Sequence, residues 1–221
     1  EALAQAVQKP PGKAIASPVG VQHLQHLLGG HRLAQAIGTR NQRTLAAQRD
    51  HRQRGVLQQQ VHRRQVTDQE VEIDVQTLLD HLRRHLRRWM RPQRASVGWR
   101  LWPARAQVRR EAVGVVGVMA PWNYPVNLAL VPLATAIAAG NHVFLKPSEH
   151  TPRTSEWLRA LLADVFPADR VAVAIGGADV GAAFSGLPFD HLVFTGSTAV
   201  GRKVMAAAAP HRTPLTLELG G

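Results

Sequence analysis

The sequence predicts an α/β protein whose second half is a parallel sheet covered by helices on both faces. Three observations predict it. Beyond Ala112, short apolar runs alternate with helix-length amphipathic runs. Gly and Pro stand at the junctions, as at Gly140 and Pro152. Before Trp89 there is no Phe, Tyr or Trp, so the first third has little with which to build a core.

Taken in order, residues 1–76 read as a Gln/Arg-rich, disordered segment. Fourteen Gln fall there, and Pro10-Pro11-Gly12 and Gly29-Gly30 interrupt any helix. Residues 77–111 read as an amphipathic helix followed by a bridging strand. Leu78, Leu79, Leu82, Leu86 and Trp89 share one face, Arg83, Arg84, Arg87 and Arg88 lie largely off it, and Pro92 ends it. Residues 112–221 carry five strands: Val113–Ala120, His142–Lys146, Val171–Ile175, His191–Thr195 and Leu215–Leu219. The helices between them are Asn127–Ala139, stopped by Gly140, then Thr151–Val165, Asp179–Ser185 and Thr198–Ala208. Thr151 is the cap of the second, with Pro152 in its first turn. The design is Rossmann-like.

Composition narrows the function. The net charge is +12, but residues 1–110 hold 20 of the 27 Lys and Arg and only 7 of the 15 Asp and Glu. The basic character therefore belongs to the first half. It allows a second reading, a basic nucleic-acid-binding protein, resting on the arginines between 83 and 94. A solvated helix face accounts for the same arginines. The chain has no Cys, which excludes a disulfide, a thiolate metal site or a thiol nucleophile of its own. No metal is expected. The opening Glu1-Ala2-Leu3-Ala4 lacks the basic and apolar regions of a secretory signal. Residues 113–139 are apolar but hold Asn123, Asn127 and three Pro, which fits a soluble core better than a membrane span.

Four motifs could carry chemistry. Ala120-Pro121-Trp122-Asn123-Tyr124-Pro125 leaves one amide at the C-terminal tip of a strand, where α/β sheets bind ligands. An amide there can donate to an oxygen that becomes negative during reaction. Lys146-Pro147-Ser148-Glu149 follows the next strand. It reads either as a ribose contact, the carboxylate accepting two hydroxyls and the lysine donating, or as a surface turn with an incidental ion pair. Phe194-Thr195-Gly196-Ser197-Thr198-Ala199-Val200-Gly201 runs from strand to helix. Gly196 would make a tight turn and Ser197 would sit at a helix N-terminus suited to a pyrophosphate. In Leu217-Glu218-Leu219-Gly220-Gly221, burial would raise the Glu218 pKa and make it a general base; a solvent-facing strand residue is the alternative.

In this order the motifs resemble the aldehyde dehydrogenase superfamily over roughly residues 78–221. Arg88-Trp89-Met90, Leu101-Trp102-Pro103-Ala104-Arg105 and Phe189-Asp190-His191-Leu192-Val193-Phe194 look most like its coniferyl-aldehyde dehydrogenase branch. The resemblance implies oxidation of an aldehyde, coniferyl or another aromatic one, to the acid with NAD, NADP being tolerated. It implies two catalytic residues: Asn123, holding the oxyanion, and Glu218, activating the hydrolytic water. Cofactor-binding residues follow from it too. Lys146 and Glu149 take the adenine ribose, Gly196 and Ser197 the pyrophosphate, and the Leu219 backbone the nicotinamide amide. Trp122 packs beside the substrate tunnel. A cytoplasmic homodimer or homotetramer, with neither nucleic acid nor membrane as partner, is implied as well.

The chain departs from this pattern in two places. The family's thiol nucleophile lies a few dozen residues beyond the glutamate that matches Glu218, so a fragment without turnover of its own is expected. Residues 1–76 are expected not to match, either as an out-of-frame reading joined to the true frame near Leu78 or as a basic tail.

Overall fold

A computed structural model describes residues 75–220. The expectations for residues 1–74 lie outside the described residues. Helix α1 covers residues 75–89. Val75, Leu79, Leu82 and Leu86 are its buried positions, a spacing of three and four that keeps one stripe on the core. Two expectations are corrected here. Val75, counted with the disordered segment, is 1% exposed in the core, because it stands one turn before Leu79. Trp89, expected on the buried stripe, is 38% exposed. The stripe continues through Met90, which packs on the core, and Trp89 is rotated away to stack on His85 at 5.5 Å.

Next comes a ribbon apart from the main sheet. Strands β1 (Gln93–Ala95) and β2 (Ala106–Val108) pair antiparallel, where a single bridging strand was expected. Trp99 and Trp102 lie exposed in the connection between them.

The main sheet follows the alternation in the sequence. Its elements are β3 (Val115–Met119), α2 (Asn127–Ala138), β4 (His142–Lys146), α3 (Pro152–Val165), β5 (Val171–Val173), α4 (Ala178–Ser185), β6 (His191–Ser197), α5 (Thr198–Ala208) and β7 (Leu215–Gly220). Five parallel strands stand in the order β5-β4-β3-β6-β7. Within each strand successive side chains face opposite ways, giving two cores. Val116, Val118, Val143 and Leu145 meet α1, α2 and α3 on one face. Met119, Phe144, Leu192 and Phe194 meet Phe184 of α4 and Val204 of α5 on the other.

Element ends have local causes. β3 starts at Val115 rather than Val113. Gly114 has φ +132°, and the Asn141 Oδ1 accepts from Val113 N at 2.7 Å and Gly114 N at 3.1 Å, so the chain turns before the ladder begins. Gly140, φ +95°, ends α2 as expected. Its N–H bonds Ile137 O and the Asn141 N–H bonds Ala136 O, which satisfies the last carbonyls. Thr151 is the cap residue of α3 by position, with Pro152 in the first turn, but its hydroxyl donates to Ser148 O instead of accepting a helical N–H.

β6 runs two residues past its expected end, and this corrects the expectation for Gly196. It is not a tight turn. Gly196 lies in the strand, paired with Leu219, and Ser197 pairs with Gly220. Glycine is needed there for space: a Cβ would come within 2.6 Å of Phe194 Cζ.

Candidate functional site

The strand order reverses direction between β3 and β6. From β3 the chain builds outward through β4 and β5; it then returns to the other side for β6 and β7. The connections therefore leave the two neighbouring strand ends in opposite directions, which opens a crevice at their carboxyl ends. A cleft of about 520 Å³ lies there, within the size range of small-ligand sites. Its walls come from Ala120–Trp122 after β3, Lys146 and Ser148–His150 after β4, one face of α4, and Thr195–Ser197 with Val200, Lys203 and Val204. A larger hollow, about 920 Å³, lies against the β1–β2 ribbon. None of the expected site residues lines it.

Lys146 is the last residue of β4 and faces α4, as Phe144 does two residues earlier. It is 4% exposed. Its Nζ donates to Pro147 O and to Glu149 Oε2, each at 3.2 Å. Burial of an ammonium is tolerated when it is paired in this way. The Glu149 carboxylate is 37% exposed, so it reaches the cleft while Lys146 anchors it. A hydrogen bond from its own backbone N–H holds the Glu149 pKa below the ordinary 4.5. Partial burial opposes this, and the Lys146 ammonium and His150 add to it. The carboxylate is thus charged at neutral pH, next to a cation. Such a pair can accept from vicinal hydroxyls and donate to the same group. The loop is held from below: Ser148 O accepts from the Ser155 and Thr151 hydroxyls at 3.0 and 3.3 Å.

Ser197 caps α5, its Oγ accepting from Val200 N at 3.4 Å. The amides of the first helical turn have no carbonyl of their own helix to bond, and they carry the positive end of its dipole. An anion in the cleft would meet them. Helix α5 comes close to the sheet because Gly201 is buried under Leu219; a Cβ there would lie 2.8 Å from Leu219 Cδ2.

Of the expected site residues, Trp122, Lys146, Glu149, Gly196 and Ser197 line this one cleft. Asn123, Glu218 and Leu219 do not. Asn123 is exposed on the loop after β3 and has no hydrogen-bond partner among the described residues. Glu218 lies exposed on the edge strand β7, opposite Thr195, so the solvent-facing alternative holds and the expected burial does not. An edge strand has a neighbour on one side alone, and α5 packs on the face of β7 that carries Leu219, opposite to Glu218. Leu219 follows on the α5 side, 39% exposed.

Sequence reasoning missed Ser148, Gly181, Ser185 and Lys203, all of which line the cleft. Lys203 had a signal: Val200, Lys203, Val204 and Ala207 recur at helical spacing and form the face of α5 turned to the cleft. Gly181 had none.

Among the described residues no helix is long and apolar enough to cross a membrane. The arginines of α1 lie on its exposed face.

The chain is similar to "Probable coniferyl aldehyde dehydrogenase" of Pseudomonas aeruginosa, with 56% identity over 138 residues, 62% of this chain and 29% of that protein. It is 50% identical to the coniferyl aldehyde dehydrogenase of a Pseudomonas species over 140 residues, 63% of this chain and 28% of that one. The chain thus spans a little under a third of these relatives. Among solved structures, it resembles a substrate-bound state of Staphylococcus aureus AldH with a TM-score of 0.76 and 29% identity, over 91% of this chain and 42% of the other. A Mycobacterium tuberculosis aldehyde dehydrogenase complexed with NAD+ matches with a TM-score of 0.69 and 26% identity, over 100% of this chain and 42% of the other. The model of the aldehyde dehydrogenase family matches residues 42–221. That corrects the expected start of the resemblance: residues 42–76, expected not to match, fall inside it. With strand order, cleft and motifs in agreement with this match, the chain belongs to the aldehyde dehydrogenase family.

Proposed function

We propose that this chain supplies the dinucleotide-binding part of an enzyme that oxidises an aldehyde to the carboxylic acid with NAD. A bulky aromatic aldehyde such as coniferyl aldehyde is the proposed substrate, on the strength of the relatives. The observation that carries the reading is the cleft at the strand switch, with the Lys146–Glu149 pair on one wall and the N-terminus of α5 on the other. Those groups fit the two ends of an adenosine diphosphate: a diol for the pair, and a pyrophosphate for the helix.

Bound NAD would supply the acceptor for the hydride that leaves the substrate carbon. The protein's part is to bind and orient. Lys146 and Glu149 hold the adenine ribose. The first-turn amides of α5, with Ser197 and with Gly196 keeping the wall bare, hold the pyrophosphate. The Leu219 backbone faces the nicotinamide amide. Asn123, exposed on the loop after β3, donates to the oxygen that becomes negative. Glu218 takes a proton from the water that releases the acid. Trp122, 62% exposed at the rim, packs beside the substrate. The nucleophile that these steps require is a thiolate, and this chain has no Cys, so it must come from elsewhere in the enzyme. A homodimer or homotetramer in the cytoplasm completes the proposal, by family resemblance.

NAD is proposed over NADP. The Glu149 carboxylate, held ionised by its backbone N–H and by Lys146, repels a 2′-phosphate. Lys146 weakens that repulsion, so NADP is tolerated.

Calorimetric titration of the chain with NAD and with NADP tests the reading. Weak but measurable NAD binding is expected, NADP being the weaker ligand, with about a tenfold further loss in Lys146→Met. The chain alone should form no NADH from coniferyl aldehyde. Absence of NAD binding, or steady NADH formation by these 221 residues, would overturn the proposal.

A further inference from the structure

Gly181 sits in the middle of α4, buried, in a place where nothing about the helix calls for glycine. Its φ is not in the left-handed region, since the positive-φ glycines among the described residues are Gly98, Gly114 and Gly140. Alanine is the better helix former by propensity. The reason for glycine lies across the interface. A Cβ at 181 would stand 3.3 Å from Lys146 Cε, 3.8 Å from its Cδ and 3.8 Å from Met119 Cε. The lysine stem borders that space so closely that a methyl group would press on it.

That contact matters because of where the stem leads. Both bonds of the Lys146 ammonium, to Pro147 O and Glu149 Oε2, are 3.2 Å long, at the outer end of the N–H···O range. A methyl at 181 strikes the end of a flexible side chain rather than backbone. The stem gives by a few tenths of an ångström, and the ammonium moves with it. The helix loses nothing by the change.

We infer that Gly181 is a positioning residue: by leaving room for the Lys146 stem it sets where the ammonium sits, and so how tightly the adenine ribose is held. This rests on the dinucleotide reading of the cleft. A residue needed only for packing would lower stability when changed. Gly181 should instead separate the two quantities, with affinity falling while stability holds or rises.

The test is a double-mutant cycle on the 221-residue chain, with ADP-ribose as the probe in calorimetry and thermal melting alongside. Gly181→Ala should melt at or above the wild-type temperature and bind ADP-ribose about three- to tenfold more weakly. In a Lys146→Met background, the same substitution should cost no further affinity, because the group it displaces is gone. Unchanged affinity in Gly181→Ala, or an equal loss in both backgrounds, overturns the inference. A different pattern marks failure of the underlying reading: wild type that does not bind ADP-ribose, or Lys146→Met binding as tightly as wild type. Either would remove the inference along with the site.

Discussion

The two ends of the parallel sheet are built in opposite ways. At the amino ends of the strands, side chains are spent on closing the backbone. Asn141 accepts from Val113 N and Gly114 N and donates to Ala136 O at 3.1 Å; Asp190 accepts from Val115 N at 2.9 Å; Thr213 donates to Phe189 O at 3.1 Å. Asn141 and Thr213 are themselves buried. At the carboxyl ends, polar groups face outward instead. Glu149, Ser197 and Lys203 line an open cleft, and Asn123 and Glu218 stand exposed beside it. Lys146 and Ser148 are buried there, and the Lys146 ammonium holds Glu149 in place. One end of the sheet is therefore closed by side-chain hydrogen bonds and the other left open, the end at which open α/β sheets bind ligands.

Substitutions can break or sharpen that contrast. The largest effect should come from Gly114→Ala at the closed end. Its φ of +132° strains any side chain, and the new Cβ would overlap the Asp190 carboxylate. A loss of about 3 kcal/mol or more is expected in urea unfolding. The nucleotide affinity of the folded fraction should not change. A loss of affinity beyond the loss of folded protein would break the contrast.

Asn141→Ala comes next. It leaves the Val113 and Gly114 amides without their acceptor, at about 2 kcal/mol of stability. Again ADP-ribose binding should follow the folded fraction alone. A stability change under about 0.5 kcal/mol would show that water replaces the clamp.

Ser197→Ala tests the open end. Its capping bond is long, at 3.4 Å, so a stability loss of about 0.5–1 kcal/mol is expected in melting experiments. Nucleotide affinity should fall as well, which a closed-end substitution does not do. Loss of stability without any loss of affinity would place the cap in the same class as Asn141.

The smallest stability effect should be at Glu149. Its folded pKa is depressed, so the stabilisation it contributes is present above the ordinary value of 4.5 and is lost as pH falls through the lower folded value. With the side chain more than a third exposed, solvent screens the pair, and Glu149→Gln should cost under about 1 kcal/mol at pH 7. The same substitution should shift the NADP-to-NAD affinity ratio in favour of NADP. A ratio unchanged from wild type would remove Glu149 from the ribose.

Much of this was legible in the chain itself. The order of strands and helices, the stop at Gly140 and the cap position of Thr151 follow from periodicity and punctuation, which act over a few residues. Lys146, Glu149 and Ser197 were legible as candidates because each stands where a strand ends. Trp89 and Gly196 were misread, each for its own reason. Helical spacing does not say whether a stripe continues through residue 89 or 90, and a Gly at a strand end looks like a turn until its partner strand is known.

What the sequence determined was the local alternation, the identity of the polar residues at each strand end, and the absence of a thiol. What only the tertiary structure decided was which strands are neighbours, and hence that β3 and β6 part to leave a cleft. It also decided that Glu218 stands exposed on an edge strand, that Gly196 pairs with Leu219 inside β6, and that Gly181 makes room for Lys146. The reason is physical. Backbone preferences are local in the chain, whereas these strand pairings and this close helix–sheet approach join residues 23 or more positions apart that meet only when the sheet is assembled.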